Sequence, residues 1–578
     1  MPHRTILALL IAIGALLGWE AAPGRAAEVA DLILHRGRVV TVDRDFSIRE
    51  ALAVKDGRLL RVGGNDEVLA LRGPGTEVID LAGRMVLPGL IDSHTHPTAA
   101  CMTEFEHEIP PMETLADVLA YLRQRVAASE PGQWIQLRQV FITRLKEQRY
   151  PTRAELDAVA PANPVVYATG PDASVNSLAL KLSGIDKDFQ PAGAGKIERD
   201  PTTGEPTGIL RSATRYLKMK LPAASVGDTE RDARLRLLFA DYNALGITGA
   251  IDRDCSGEAL AQYVRLRDAG QLTVRIAASH SLSNTLKTSA IEGKIREIAN
   301  HPLRRPDPWV RIIGVKTYLD GGMLTGSAYM REPWGVSSIY AIDDPRYRGL
   351  LYIEPDVLLA MVRATVEANM QFTAHSVGDG AVHALLDAYE EVNRTTQVRP
   401  TRPAITHANF QSREAVEQAA RLGVVFDIQP AWLWHDTHTL AAQFGYDRLR
   451  YFQPLKSLLA AGVVVGGGSD HMQKIGRPRG VNLYDPFLGM WVAITRRSRH
   501  YDRPLHPEEA LSRAEAIRFY TANNAYLMFL DDQLGTLEAG KLADLIVTDR
   551  DLLECPIDDL RTTQVLRTYV AGKLVYEK

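Results

Sequence analysis

Cysteine is scarce. The 578-residue chain holds three, Cys101, Cys255 and Cys555, with no Cys-x-x-Cys pair, which excludes a disulfide framework and a zinc site built from thiolates. Charge imbalance is missing too. Lys and Arg number 67 against 70 Asp and Glu, a formal net charge of −3, so there is no basic footprint for nucleic acid. The apolar run over 6–19, 14 residues long, falls short of the ~20 needed to cross a bilayer. Neither internal repeats nor low-complexity tracts stand out, which sets aside solenoids and disordered tails. With 46% hydrophobic and 24% charged residues, what remains is a large globular protein, most simply an enzyme with a small-molecule substrate.

The first residues read as an address. Met1-Pro2-His3-Arg4 is a basic start, the apolar run follows, and Gly24 and Ala26 place small residues before a cut after Ala26. That is the pattern of a signal peptide over 1–26. It implies export, to a bacterial periplasm or beyond, and no stable membrane insertion after removal. An uncleaved anchor is the alternative.

Past this leader the texture is β. Runs at 32–34 and 39–42 flank Arg36-Gly37, and runs at 51–54 and 59–62 flank Asp56-Gly57, as in hairpins. The last 45 residues look the same: 543–547, then 568–570, a turn at Ala571-Gly572-Lys573, and 574–576. We expect one small β-sandwich domain built from 27–85 plus 535–578. Between the two ends, strand-like runs alternate with helix-like ones. The apolar runs fall at 86–91, 247–252, 273–277, 310–318, 371–374, 404–406, 424–428 and 463–466. Several follow helical runs closed by glycine, at Gly246, Gly423 and Gly462. Eight such units make an α/β fold of the (β/α)8 TIM-barrel type over 86–534. A stretch at about 99–240 is left over, including the apolar run 164–168, and reads as a subdomain inserted after the first barrel strand.

Polar residues interrupt those runs at telling places. His94 and His96 stand two apart at the end of the first, and residues i and i+2 of a strand share one face. An HxH alone is weak evidence, since core or surface histidines give the same pattern. However, Lys316 interrupts 310–318, His375 follows 371–374, His407 follows 404–406, and Asp470 follows 463–466 through Gly467-Gly468-Ser469. All belong near the C-terminal ends of barrel strands, where barrel enzymes place their active sites. Four histidines, a carboxylate and a buried lysine converging there call for a metal, because a buried charge is costly unless paired or coordinated.

These residues carry a resemblance. Gly89-Leu90-Ile91-Asp92-Ser93-His94-Thr95-His96, Val315-Lys316 with Asp320-Gly321, His375-Ser376-Val377-Gly378-Asp379, Thr406-His407-Ala408, Gln429-Pro430, Gly468-Ser469-Asp470 and the segment from Gly535 to Asp544 are together similar to the amidohydrolase superfamily. Within it they resemble the YtcJ-like group that includes N-substituted formamide deformylases. The resemblance implies one divalent ion on His94, His96 and Asp470 and a second on His375 and His407. It also implies Lys316 carbamylated by CO2 so that it bridges both; an unmodified Lys316 beside a single ion is the alternative. Zn2+ suits such His and carboxylate donors. Asp320, Asp379 and Gln429 are candidates for substrate contact or ligand support, with a helix N-terminal charge as the other reading of Asp379. Two positions depart from the group's pattern. Pro171 stands about where a histidine is expected, and Arg211-Ser212 near where an acidic residue is common.

The implied activity is hydrolysis of a non-peptide carbon–nitrogen bond, in an amide or formamide-like substrate, by a metal-activated hydroxide. Asp470 would move the proton. The alternatives are a one-metal deaminase, a lactone or ester hydrolase on the same scaffold, or a non-catalytic exported binding protein. A homo-oligomer is compatible with all of them.

Overall fold

The segment Met85-Val86-Leu87-Pro88 is buried throughout, yet its residues serve two different cores. Val86 packs with Leu34, Leu52, Leu545 and Val547, while Met85 and Leu87 pack into the main core, as strand alternation requires. Val39 and Val40 divide the same way, and so do Leu545 and Ile546. This strand is a partition, and the architecture follows from it.

The computed structural model describes residues 28–138, 140–170, 172–193, 195–220 and 226–578. The expected signal peptide and Pro171 lie outside the described residues.

On one side of the partition are two sheets. A six-stranded sheet runs Lys573–Glu577, Val565–Val570, Leu545–Thr548, Met85–Pro88, Arg38–Val40, Ile48–Arg49, so three strands from the C-terminal end stand beside three from the N-terminal part of the chain. A four-stranded sheet runs Arg58–Gly63, Ala51–Lys55, Leu32–His35, Glu77–Asp80. Apolar residues of both share a core that includes Leu32, Val54, Leu59 and Tyr569, which makes a sandwich.

On the other side is an eight-stranded parallel barrel. In chain order its strands are β1 (Leu90–Thr95), β2 (Ile247–Cys255), β3 (Arg275–Ser281), β4 (Val310–Tyr318), β5 (Gln371–Ser376), β6 (Ala404–His407), β7 (Val425–Ile428) and β8 (Val465–Gly467). Each pairs with the next in parallel, and helices such as Pro355–Glu367 and Arg413–Leu422 cover the outside. The latter ends at Gly423, whose φ of +71° suits a left-handed cap. The ring closes between β1 and β8 with help from a side chain: Asn524 Nδ2 donates to the carbonyls of Ile91 and Gly467.

Two expected boundaries shift. The run at 86–91 is not one barrel strand. Its first half is the partition strand of the sandwich, and β1 starts at Leu90 after Gly89. The inserted segment forms a five-stranded sheet between Ile135 and Arg211, with its own core of Trp134, Val166, Val175 and Leu210; the run at 164–168 belongs there. A boundary at 240 would cut the helix Asp228–Ala244, which buries Leu235, Leu238, Phe239 and Tyr242 in the main core and so belongs with the barrel. Among the described residues no helix is long and apolar enough to cross a membrane.

Candidate metal centre

The barrel's C-terminal rim collects the polar residues that interrupt its strands. His94 lies in β1, and His96 follows it at the head of a short helix, Pro97–Ala100. Asp470 comes three residues after β8. Main-chain bonds bring them together: Asp470 N–H donates to His94 O at 2.8 Å, and His96 N–H to His471 O at 2.8 Å. Gly468 makes this approach possible, because a Cβ there would stand 2.8 Å from His94 N. Asp92 adds a buried brace by accepting the N–H groups of His94 and Ser469, both at 3.0 Å.

The side chains form a tight triangle. Asp470 Oδ1 is 3.3 Å from His94 Nε2 and 3.3 Å from His96 Nε2, and the two nitrogens are 3.3 Å apart. A tetrahedral ion with ligands roughly 2.0–2.1 Å away has ligand–ligand edges of about 3.3–3.4 Å. The contact between His94 and Asp470 is unfavourable by itself. His94 Nδ1 is 2.8 Å from the Asp427 carboxylate, which can only accept, so His94 Nε2 presents a lone pair toward the Asp470 oxygen. Protonation of His94 would relieve the clash, but burial, with the charges of His96 and Lys316, holds its pKa well below the ordinary value. The donor set therefore fits a divalent ion.

His375 in β5 and His407 at the end of β6 stand beside this triangle. The His407 ring stacks on His94 at 4.7 Å between centroids and meets His375 edge-to-face at 4.6 Å. Trp432 stacks on the other side of His407 at 4.7 Å. Burial, aided by the Lys316 charge, pulls the pKa of His375 down to about 3, and burial likewise holds His407 well below its ordinary value. Both rings are thus neutral and able to donate lone pairs. His96 and His375 retain 18% and 13% of their side-chain exposure, so the cluster opens to solvent on that side.

Lys316 is buried in β4, with Nζ 3.4 Å from the centroid of Tyr318. The Tyr318 hydroxyl in turn donates to Asp254 at 3.0 Å. Burial lowers the lysine's pKa against the opposing pull of Asp254. Asp470 moves the other way, raised by burial despite the nearby His96.

The remaining candidates divide. Gln429 reaches the site, its Oε1 2.8 Å from His407 Nδ1. Asp320 accepts the N–H groups of Val377, Gly378 and Tyr329 at 2.9–3.0 Å and lies 3.8 Å from His375 Nε2; it pins the loop after β5 rather than facing the triangle. Asp379 opens the helix Asp379–Asn393 and accepts the N–H of Arg331 at 2.9 Å. Among the described residues no hydrogen bond or ion pair joins it to the histidines, which is the helix-terminus reading. Arg211 is buried in the inserted subdomain, where it pairs with Glu198 and donates to Thr325 O at 2.8 Å.

Asp427 and Arg253 were not singled out by sequence. The structure buries both completely, with Arg253 Nε 3.2 Å from Asp427 Oδ2. The signal was available: Asp427 is a charge inside the apolar run 424–428, and Arg253 directly follows the run 247–252.

Two ligand candidates have left-handed backbones. Asp470 has φ +56° and His407 φ +73°, followed by Ala408 at +42°. Such conformations cost non-glycine residues energy and concentrate where a site over-determines them.

Comparison with known proteins bears on the family and the fold. A curated relative, the N-substituted formamide deformylase of Arthrobacter pascens, is 32% identical over 95% of this chain and 99% of its own. Protein LONG AFTER FAR-RED 3 of Arabidopsis thaliana is 28% identical over 95% of this chain and 92% of its own. Among solved structures, an uncharacterized metal-dependent hydrolase of Pyrococcus horikoshii superposes with a TM-score of 0.65 at 21% identity, covering 91% of this chain and 99% of the other; at that identity it speaks for the fold alone. The model of the Amidohydrolase family matches residues 77–576, and the chain belongs to that family.

Proposed function

We propose that this amidohydrolase cleaves a non-peptide amide or formamide-type bond with two divalent ions, Zn2+ being the best match to the donors. His94, His96 and Asp470 would hold one, His375 and His407 the other, with a carbamate on Lys316 between them. The observation that carries the reading is the triangle of His94 Nε2, His96 Nε2 and Asp470 Oδ1 with 3.3 Å edges, which matches the ligand spacing of a tetrahedral ion. The family membership and the deformylase relative support the bond type.

When bound, such ions supply Lewis acidity toward water and toward the substrate carbonyl. The protein's own residues do the rest. Asp470, whose pKa is raised by burial, accepts the proton of the attacking water and hands it to the leaving nitrogen. The C–N bond breaks and an acid and an amine depart. His375 stays neutral and cannot compete for that proton. Trp432 and Tyr318 wall the histidines and restrict where the substrate can lie.

One observation favours a single-ion reading, which covers deaminases and lactone or ester hydrolases. Among the described residues, the set whose donor atoms gather within reach of one ion is His94, His96 and Asp470, and Lys316 rests on Tyr318 rather than on a histidine. The deciding measurement is metal per protomer in the purified protein, with native mass analysis for the addition of one carbon dioxide. Two ions and the adduct support the bridged site, and a formamide and amide substrate screen follows. One ion without the adduct supports the single-ion reading. A protein that stays metal-free after reconstitution overturns both. Export through residues 1–26 is proposed on the sequence pattern, and N-terminal sequencing of the mature protein tests it.

A further inference from the structure

One buried carboxylate is linked to both groups of histidines, to His94 directly and to His407 through Gln429. Asp427, in β7, is held on both oxygens: Oδ1 meets His94 Nδ1 at 2.8 Å and accepts from Gln429 Nε2 at 3.0 Å, and Oδ2 accepts from Thr406 Oγ1 at 3.1 Å and forms an ion pair with Arg253, whose Nε is 3.2 Å away. Gln429 spans the remaining gap, with Oε1 2.8 Å from His407 Nδ1. Arg253 is itself fixed by Ser279 at 3.1 Å and Gln371 at 2.7 Å.

Donor and acceptor chemistry then leaves no freedom. A carboxylate paired with arginine only accepts, so His94 must carry its proton on Nδ1. The same carboxylate compels Gln429 to turn its NH2 toward Asp427 and its carbonyl toward His407. That carbonyl also only accepts, so His407 too must be protonated on Nδ1. Both rings are left with bare Nε2 atoms. Such a buried ion pair is weak evidence for stability, while support of this kind fixes a ring's tautomer and raises its basicity.

We propose that Asp427 and Gln429 are a positioning pair that sets the tautomer and aim of one histidine at each ion position, so that a single carboxylate prepares both. The consequence for metal binding rests on the two-ion reading; the tautomer assignment does not.

The test uses metal-free full-length protein labelled with 15N-histidine, the His94 and His407 signals being assigned by single replacement of each ring. In the parent both rings show one tautomer, protonated at Nδ1. Gln429→Leu is expected to give His407 a tautomer mixture and leave His94 unchanged. Asp427→Asn, which puts an NH2 where an acceptor is needed, is expected to disturb both. Zinc titration against a chelator should then show Gln429→Leu weakening the second ion 10–100-fold with the first unaltered, and Asp427→Asn weakening both. A single unchanged His407 tautomer in Gln429→Leu overturns the proposal. Should Asp427→Asn fail to fold, Gln429→Leu decides alone. If the parent takes one ion only, the two-ion reading fails while the tautomer measurement still judges the pair.

Discussion

Asp470 meets His94 at two points: its backbone N–H donates to the His94 carbonyl at 2.8 Å, and its Oδ1 stands 3.3 Å from Nε2. The join between the first and last barrel strands is therefore also the metal triangle. Asp470→Asn keeps the backbone bond and the side-chain shape but removes the proton acceptor. We expect hydrolysis to fall by about 10²–10⁴-fold, with circular dichroism and melting temperature near those of the parent. Full activity in this variant would reassign the proton transfer.

His375 carries a pH signature. Its pKa is about 3 in the folded metal-free protein and about 6.5 when unfolded, so the unfolded state binds the extra proton between those values. Its contribution to stability is therefore complete above pH 6.5 and declines as pH falls toward 3, with a limiting slope of about 1.4 kcal/mol per pH unit. Urea midpoints of metal-free protein between pH 8 and 5 should drop more steeply for the parent than for His375→Gln. Parallel curves would refute the assignment.

Arg275, at the start of β3, forms a buried bidentate pair with Asp544 at 2.6 and 2.9 Å, at the barrel end opposite the histidines. Asp544→Ala leaves an uncompensated guanidinium between barrel and sandwich and should cost about 3–5 kcal/mol. Rate per folded molecule should hold. Denaturant unfolding and active-site titration separate the two effects, and a lost rate with intact stability would contradict the placement.

Burial pushes the Cys101 thiol up to about 12 and Cys255 well above its ordinary value, which keeps both as unreactive thiols. Cys555 is only partly buried. Iodoacetamide should label one cysteine in native protein and three in denaturant. Fast labelling of Cys101 would show that the contact of its helix with the barrel opens readily.

The barrel was legible because eight apolar runs recur between the two β-rich ends of the chain and the ligand candidates interrupt or follow them. Each of the eight runs overlaps a barrel strand. The first was placed too early, since Met85–Pro88 is as apolar as β1; it is buried on both faces for another reason, as the shared wall of two cores. Asp320 and Asp379 show the limit of motif reading. Both sit in segments that resemble the family, and the path of the backbone gives each a protein contact that the motif does not show, Asp320 to the loop after β5 and Asp379 to Arg331. Asp427 is missed for another reason: it lies against His94 and Gln429 and belongs to none of the quoted motifs.

The six-stranded sheet has a consequence for how the molecule comes to exist. Its central pairing joins Met85–Pro88 to Leu545–Thr548, so the wall of the sandwich stays unfinished until almost the whole chain has been made. A ribosome-bound intermediate, however complete its barrel, would carry an open strand edge awaiting its partner. Pairings so distant in sequence are slow to form and leave edges exposed to misassembly meanwhile. Chains broken off before Leu545 should accordingly be aggregation-prone rather than merely less stable.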